Sequence, residues 1–159
     1  MAKAYRGNYP SKTYHGRYSV KNPSKYNGDP SNVVFRSLWE RQLMKFFDDC
    51  PDVTKWASEA TVVGYICGTD RKPHRYFVDF TVTFKNGETH LVELKPKKET
   101  IPPKVPKKKT QRYLVEAMTF IKNQSKWTAA SKYAEERGWK FSVWTEVDLS
   151  KFGIRLITS

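Results

Sequence analysis

Three residues near the middle of the chain have the types and spacing for phosphate chemistry. Asp79 sits in Tyr76-Phe77-Val78-Asp79-Phe80, and Glu93-Leu94-Lys95 follows fourteen residues later. Two carboxylates can hold a divalent cation against a phosphate, and a lysine can neutralise developing charge or orient an attacking water. Val78-Asp79-Phe80 and Val92-Glu93-Leu94 embed both acids in apolar, strand-like runs. Unpaired acids there would repel each other unless a cation stood between them. The chemistry these residues suit is metal-dependent hydrolysis of a phosphodiester bond, with Mg2+ as the expected ion, Mn2+ as its substitute and no small-molecule cofactor.

The rest of the composition names the partner. Lys and Arg number 29 against 16 Asp and Glu, a formal net charge of +13 in 159 residues. A polyanion, here DNA, is the partner such a balance expects. An apolar fraction of 38% supplies a core for one domain, and no apolar run reaches the length of a membrane span. Cys50 and Cys67 form no Cys-x-x-Cys pair, and with three scattered histidines they do not complete a tetrahedral zinc site. Both are expected to fill the core in a reducing setting.

The elements that must position the acids can be read from periodicity. Residues 1–28 carry Lys3, Arg6, Lys12, Arg17, Lys21 and Lys25 with interleaved tyrosines and no acid before Asp29. This segment cannot bury enough apolar area to fold alone, so the division expected is a basic, tyrosine-rich arm over 1–30 and a domain over 31–159. Arg6, Lys12 and Arg17 of the arm are expected to meet phosphates; by composition alone the arm reads equally as a solvated tail with no specific role. Val34, Leu38 and Phe46 with their neighbours predict a helix over 32–48. Residues 61–66 are β-rich, 75–84 alternate cleanly, and 89–94 return after the turn signal Asn86-Gly87. Lys95 to Lys109 hold seven lysines against the single acid Glu99, and Pro102, Pro103 and Pro106 predict an exposed loop. A helix is expected over 111–137, broken near 123–125 and ended by Gly138, with Leu114, Met118 and Ile121 marking its buried side. Residues 140–145 and 153–157 read as two further strands. The fold class is α/β, a central mixed sheet flanked by helices.

The hairpin decides whether the acids can meet. Glu93 and Lys95 share a face because residues two apart point the same way. A two-residue Asn86-Gly87 loop would turn Asp79 away from them. A three-residue loop, Asn86 to Glu88, pairs Lys85 with Thr89 and sets Asp79 opposite Lys95. That register, or a compensating bulge, keeps Phe80, Val82 and Phe84 on the face of His90, Val92 and Leu94. A one-residue slip would strand large apolar side chains at about 1.5–3 kcal/mol each. Burial of one face therefore predicts that Asp79, Glu93 and Lys95 gather on the other.

Other residues are secondary candidates. Glu40, in Ser37-Leu38-Trp39-Glu40, reads by itself as a capping-box glutamate or a solvent-facing helix residue. Lys97, Lys98, Lys104, Lys107, Lys108 and Lys109, with Gln111 at the next helix start, suit the DNA backbone. His74 and Arg75 can grip DNA or sit on an ordinary surface. His15 and His90 are not expected to be ligands, and Glu146 with Asp148 reads as a strand end.

Asp79, Glu93-Leu94-Lys95 and their strand context resemble the PD-(D/E)xK, restriction-endonuclease-like superfamily over about residues 33–147. Within it, a helix-borne glutamate paired with the strand motif is similar to TnsA-type transposon endonucleases. Arg36-Ser37-Leu38-Trp39-Glu40-Arg41, His74-Arg75-Tyr76-Phe77-Val78-Asp79-Phe80, Glu93-Leu94-Lys95-Pro96 and Arg137-Gly138-Trp139-Lys140-Phe141 resemble the head completion nucleases of T-even-type tailed phages. The resemblance implies that Glu40, Asp79 and Glu93 are metal-site acids and Lys95 the catalytic lysine. It also implies a restriction-endonuclease-like sandwich, phage head and portal proteins as partners, and action on packaged DNA before tail joining, in the virion and in the host cytoplasm during assembly. One departure is Val78, where the superfamily commonly has proline. The alternative is a non-catalytic DNA-binding head or portal protein that keeps a nuclease fold.

Overall fold

The structure, a computed structural model, describes residues 15–156. A four-stranded mixed sheet organises it, in the order β3(Val53–Ser58), β6(Phe80–Phe84), β7(Thr89–Leu94), β8(Lys140–Trp144). The first three run antiparallel, and β8 pairs in parallel with β7 after the long helix α2(Gln111–Glu136). The β7 strand lies inside the sheet, with Leu91, Val92, Glu93 and Leu94 all buried. Two small antiparallel pairs stand beside this sheet: β1(Gly16–Arg17) with β2(Val34–Phe35), and β4(Val62–Ile66) with β5(Pro73–Phe77). Among the described residues, no helix is long and apolar enough to cross a membrane.

Each face of the sheet has its own core. Helix α1(Leu38–Asp49) starts at Ser37, whose hydroxyl accepts the Glu40 amide, and buries Leu43, Met44 and Phe47. These pack with Phe80, Val82 and Val92 on one face. Each such side chain contributes about 1.5–3 kcal/mol of burial. Leu91, Val78 and Tyr76 meet Trp127, Ala130 and Ala134 of α2 in a second cluster.

The alternation over 75–84 is real, but it does not make one strand. The chain bends at Val78 and Asp79, so β5 pairs with β4 while β6 joins the main sheet. The amide of Val78 reaches Thr61 O, and the carbonyl of Asp79 accepts the Glu59 amide. Tyr76 and Val78 thus feed the α2 cluster, and Phe80 and Val82 the α1 cluster. Period-two patterning cannot reveal such a bend, because alternation continues through it.

The hairpin keeps the expected parity with a different register. Phe80 pairs with Val92 and Thr83 with Thr89, so the three-residue loop is Lys85-Asn86-Gly87, one residue earlier than expected. Gly87 takes φ +89°, the left-handed position that follows a tight turn in such loops and that a glycine fills without a Cβ clash. The shift moves pairing by two residues, which leaves every side chain on its predicted face.

Several expected boundaries move. The predicted helix over 32–48 begins only at Leu38, because β2 occupies Val34–Phe35. The β3 strand was not foreseen, and 154–156 form no strand; α3(Glu146–Lys151) takes up part of that end. Glu146 and Asp148 do not close a strand: Thr145 and Asp148 build a reciprocal cap on α3. The long helix runs unbroken through 123–125, and Gly138 follows its end at φ +71°. Its expected buried side is wrong in the first half: Leu114, Met118 and Ile121 are 44%, 55% and 45% exposed. The 26 residues of α2 extend about 39 Å, whereas the strands beneath are five or six residues long, so only its second half finds a sheet.

From residue 15 onward the basic N-terminal segment is docked on the domain. Asp48, fully buried, accepts the Tyr18 hydroxyl at 2.8 Å and the amides of Lys21 and Asn22 at 2.7 and 3.0 Å. Tyr26 packs edge-on against Trp56, 4.7 Å between centroids.

Candidate active site

The acids converge where β7 leaves the sheet. Asp79 enters from the bend after β5, and its Oδ2 accepts the Leu94 amide at 2.9 Å. Glu93 points to the α2 side with Leu91, and its Oε2 accepts the Tyr76 hydroxyl at 2.5 Å. Lys95 Nζ lies 3.9 Å from Glu93 Oε1, and both residues are buried, at 8% and 5% exposure. The continuation of the strand register sets Asp79 opposite Glu93 rather than opposite Lys95.

Glu40 comes from the first turn of α1. Its Oε2 accepts the Arg36 amide at 3.0 Å, while its own amide donates to Ser37 Oγ. The capping geometry therefore exists, and the same carboxylate also feels the charges of Asp79 and Lys95. Capping and membership of the acid group are not alternatives here. Each of the three acids is anchored through one oxygen, by Leu94 N, Tyr76 Oη or Arg36 N, which leaves a second oxygen outside that anchor.

The electrostatics follow from this crowding. Burial, then the Asp79 charge, pushes Glu93 up to about 8, against the pull of Lys95, the Tyr76 hydroxyl and Lys126. Glu40 rises to about 7 for the same two reasons, opposed by the Arg36 amide, the Arg36 guanidinium and Lys95. Burial also raises Asp79, against the Leu94 amide and Lys95. Three acids whose ionised forms are disfavoured beside one another are groups that a cation would stabilise. All-oxygen carboxylate donors match a hard divalent ion such as Mg2+ or Mn2+.

Two members of this neighbourhood were not found by sequence reading. Tyr76 was seen only as one apolar position of an alternating run. Lys126 was hidden among the polar residues of α2. Its Nζ lies 5.4 Å from the centre of the Tyr76 ring, and burial, only partly offset by Glu93, lowers its pKa. A lysine one residue before a buried Trp127 was the available signal, since its stem must run along the packed face.

The basic residues fall around this centre rather than in it. Lys97 and Lys98 lie in a short 3-10 turn, Lys97–Thr100, right after the strand exit, with the Lys97 amide on Glu146 Oε1 at 2.8 Å. Lys104, Lys107, Lys108 and Lys109 are exposed in an irregular loop, and Gln111 opens α2. Arg75 is exposed on β5, its guanidinium 5.7 Å from the Phe77 ring centre. Arg17 is exposed in β1, where it pairs with Val34. Arg6 and Lys12 lie outside the described residues. His90, on the opposite face of β7 from Glu93, pairs with Glu88 at 3.1 Å.

The family model described as the N-terminal domain of TnsA-like endonucleases matches residues 50–146. Those bounds contain Asp79, Glu93, Lys95 and Lys126 and leave Glu40 outside. The chain is 39% identical over 146 residues to the head completion nuclease of Enterobacteria phage T4, an alignment that covers 89% of this chain and 97% of that protein. No solved structure matches it. Membership in a nuclease family implies a phosphodiester hydrolase and a nucleic-acid substrate. Matched across most of its sheet and aligned with a phage nuclease nearly end to end, this chain belongs to the TnsA-like endonuclease family.

Proposed function

We propose that this protein is a divalent-cation-dependent DNA endonuclease that acts in phage head completion. It cuts phosphodiester bonds with little sequence preference at the filled head before tail attachment, with head and portal proteins as partners. It is then present in the virion and, during assembly, in the host cytoplasm. One observation carries the reading: the strand register sets Asp79 opposite Glu93, Glu93 lies 3.9 Å from the Lys95 ammonium, and burial raises both acids. The order α1, β3, β6, β7, α2, β8 around one mixed sheet supports a restriction-endonuclease-like core.

In this reading Asp79 and Glu93 hold Mg2+ or Mn2+, and Glu40 adds a direct or water-mediated ligand. The bound ion supplies positive charge against the scissile phosphate and acidifies water. Lys95 orients the nucleophile or screens the charge of the pentacovalent state. Tyr76 and the Leu94 amide fix the two central carboxylates. Lys126 adds a cation on the α2 side. Lys97, Lys98, Lys104 and Lys107 to Lys109, with Gln111, Arg75 and the basic N-terminal segment including Arg6, Lys12 and Arg17, hold the DNA backbone without reading bases.

The test is nicking of supercoiled plasmid by the purified full chain in Mg2+ or Mn2+. Asp79→Asn and Lys95→Met are expected to lose activity by about 100-fold or more while keeping the wild-type melting profile. No metal-dependent cleavage by the wild type, or unchanged cleavage by Asp79→Asn, overturns the proposal.

A further inference from the structure

A second group of chemistry-bearing side chains lies at the other end of β5 from Asp79, where the β4–β5 ribbon turns. Ligand atoms of Cys67, Asp70 and His74 all fall within 4.8 Å of one another. We propose that Cys67, Asp70 and His74 form a three-ligand site for a borderline transition metal such as Zn2+, distinct from the acid cluster. Ligands of one tetrahedral zinc stand about 3.5 Å apart, given bonds of about 2.0–2.3 Å. A contraction of roughly an ångström closes the set, with water in the fourth position.

The turn is already shaped for it. Arg71 N donates to Cys67 O at 2.7 Å, and Cys67 N donates to Lys72 O at 3.0 Å. The Lys72 amide holds Asp70 Oδ1 at 2.9 Å, which leaves Oδ2 against His74 Nε2 at 2.8 Å. The His74 ring stacks on Tyr65, 5.6 Å between centroids. Arg71 sits at φ +58°, a left-handed conformation that costs a residue with a Cβ about 1–2 kcal/mol. Outliers of this kind are kept where the surroundings impose them. The Gly68 amide, 3.1 Å from Ser125 Oγ, ties the turn to α2.

Donor chemistry separates the two centres. Sulfur, imidazole and one carboxylate suit Zn2+ or Co2+, whereas an all-carboxylate set suits Mg2+. The hydrogen bonds from Thr69, side chain first and then backbone, draw the Cys67 thiol below its ordinary value and so favour the thiolate a metal needs. Asp70 is exposed and His74 half-buried, so an ion has a path from solvent. Arg71 and Lys72 in the same turn oppose a cation and should keep affinity below that of a closed four-ligand site. Cysteines and histidines alone make no zinc set in this chain; Asp70 supplies the third ligand.

Cobalt reads the site directly. Metal-free full-length protein titrated with Co2+ should develop a thiolate-to-metal charge-transfer band saturating at one equivalent, which Zn2+ abolishes and millimolar Mg2+ leaves intact. His74→Gln and Asp70→Asn should weaken Co2+ binding by about 10-fold or more, and Cys67→Ser should remove the band. Asp79→Asn should keep it, which separates this site from the nuclease reading. His74→Gln leaves the core untouched and serves as the test if Cys67→Ser does not fold. Absence of the band in wild-type protein, or a band unchanged in His74→Gln and Asp70→Asn, overturns the proposal.

Discussion

The amide of Leu94 donates to Asp79 Oδ2 at 2.9 Å, so the acid that arrives from one sheet is pinned to the strand that carries the acid of another. A backbone donor cannot swing away, and the pairing of β6 with β7 fixes where it sits. Asp79→Asn keeps an oxygen for that amide, whereas Asp79→Ala leaves the donor without one. Both are expected to abolish cleavage. Asp79→Ala should in addition lose about 1–3 kcal/mol in denaturant melts, and Asn much less.

Neutralising Glu93 should stabilise the metal-free protein. Its folded-state pKa of about 8 lies above its ordinary value of 4.5. Folding therefore favours the protonated acid, and stability falls as pH rises from about 4.5 through 8. Glu93→Gln removes that loss. Its unfolding free energy should match wild type near pH 4 and exceed it above pH 8, by roughly 1 kcal/mol or more. A mutant less stable than wild type at pH 8.5 contradicts the crowding described at this site.

Metal binding to the same acids should release protons. Glu40 at about 7 and Glu93 at about 8 must ionise to serve as ligands, so a cation competes with protons at neutral pH. Ca2+, taken as a probe of hard-ion binding, should raise the melting temperature more at pH 8.5 than at pH 6. Calorimetric titration in two buffers of different ionisation heat should show net proton release near pH 7. Chelation with EDTA should stop cleavage and return melting to the metal-free value.

Lys126 offers a test of the α2 side. Lys126→Met keeps the length and apolar stem that run beside Tyr76, yet removes the cation. It is expected to lower cleavage by about 10–100-fold with little change in melting, and Lys126→Arg should recover part of it. Tyr76→Phe, which removes the hydroxyl from Glu93 Oε2, should fall in the same range. Equal activity of Lys126→Met and wild type would exclude the lysine from the site.

Asp48 governs a different property, the docking of the N-terminal segment. Its burial would raise its pKa, but the amides of Lys21 and Asn22 and the Tyr18 hydroxyl win and hold it below the ordinary value. A depressed folded-state value means stability that is present above about pH 4 and lost as pH falls through the lower folded value. Asp48→Ala strands those neutral donors and should cost about 1–3 kcal/mol at pH 7 for each one left unsatisfied. The loss should shrink at low pH, measured by urea unfolding.

Strand parity, the terminus of α2 and the exposed lysine loop were all legible in the residues, because each follows from local chemistry. Alternating apolar positions set the faces of β6 and β7, Gly138 tolerates the left-handed end of a helix, and Pro102, Pro103 and Pro106 keep residues 95–109 from coiling. The carboxylates and the lysine were legible by type and spacing. Strand parity also placed Asp79, Glu93 and Lys95 on one face. What it could not show was the bend at Asp79, which sends one continuous pattern into two sheets, and the tertiary hydrogen bonds from Leu94, Tyr76 and Arg36 that fix the acids. Leu114, Met118 and Ile121 show the same limit, since an amphipathic stripe records which way a helix could face but not how far its neighbouring sheet extends. Local sequence determined the elements and the chemical groups. Contacts between residues far apart in the chain, made only when both cores close, decided which of those groups share one site.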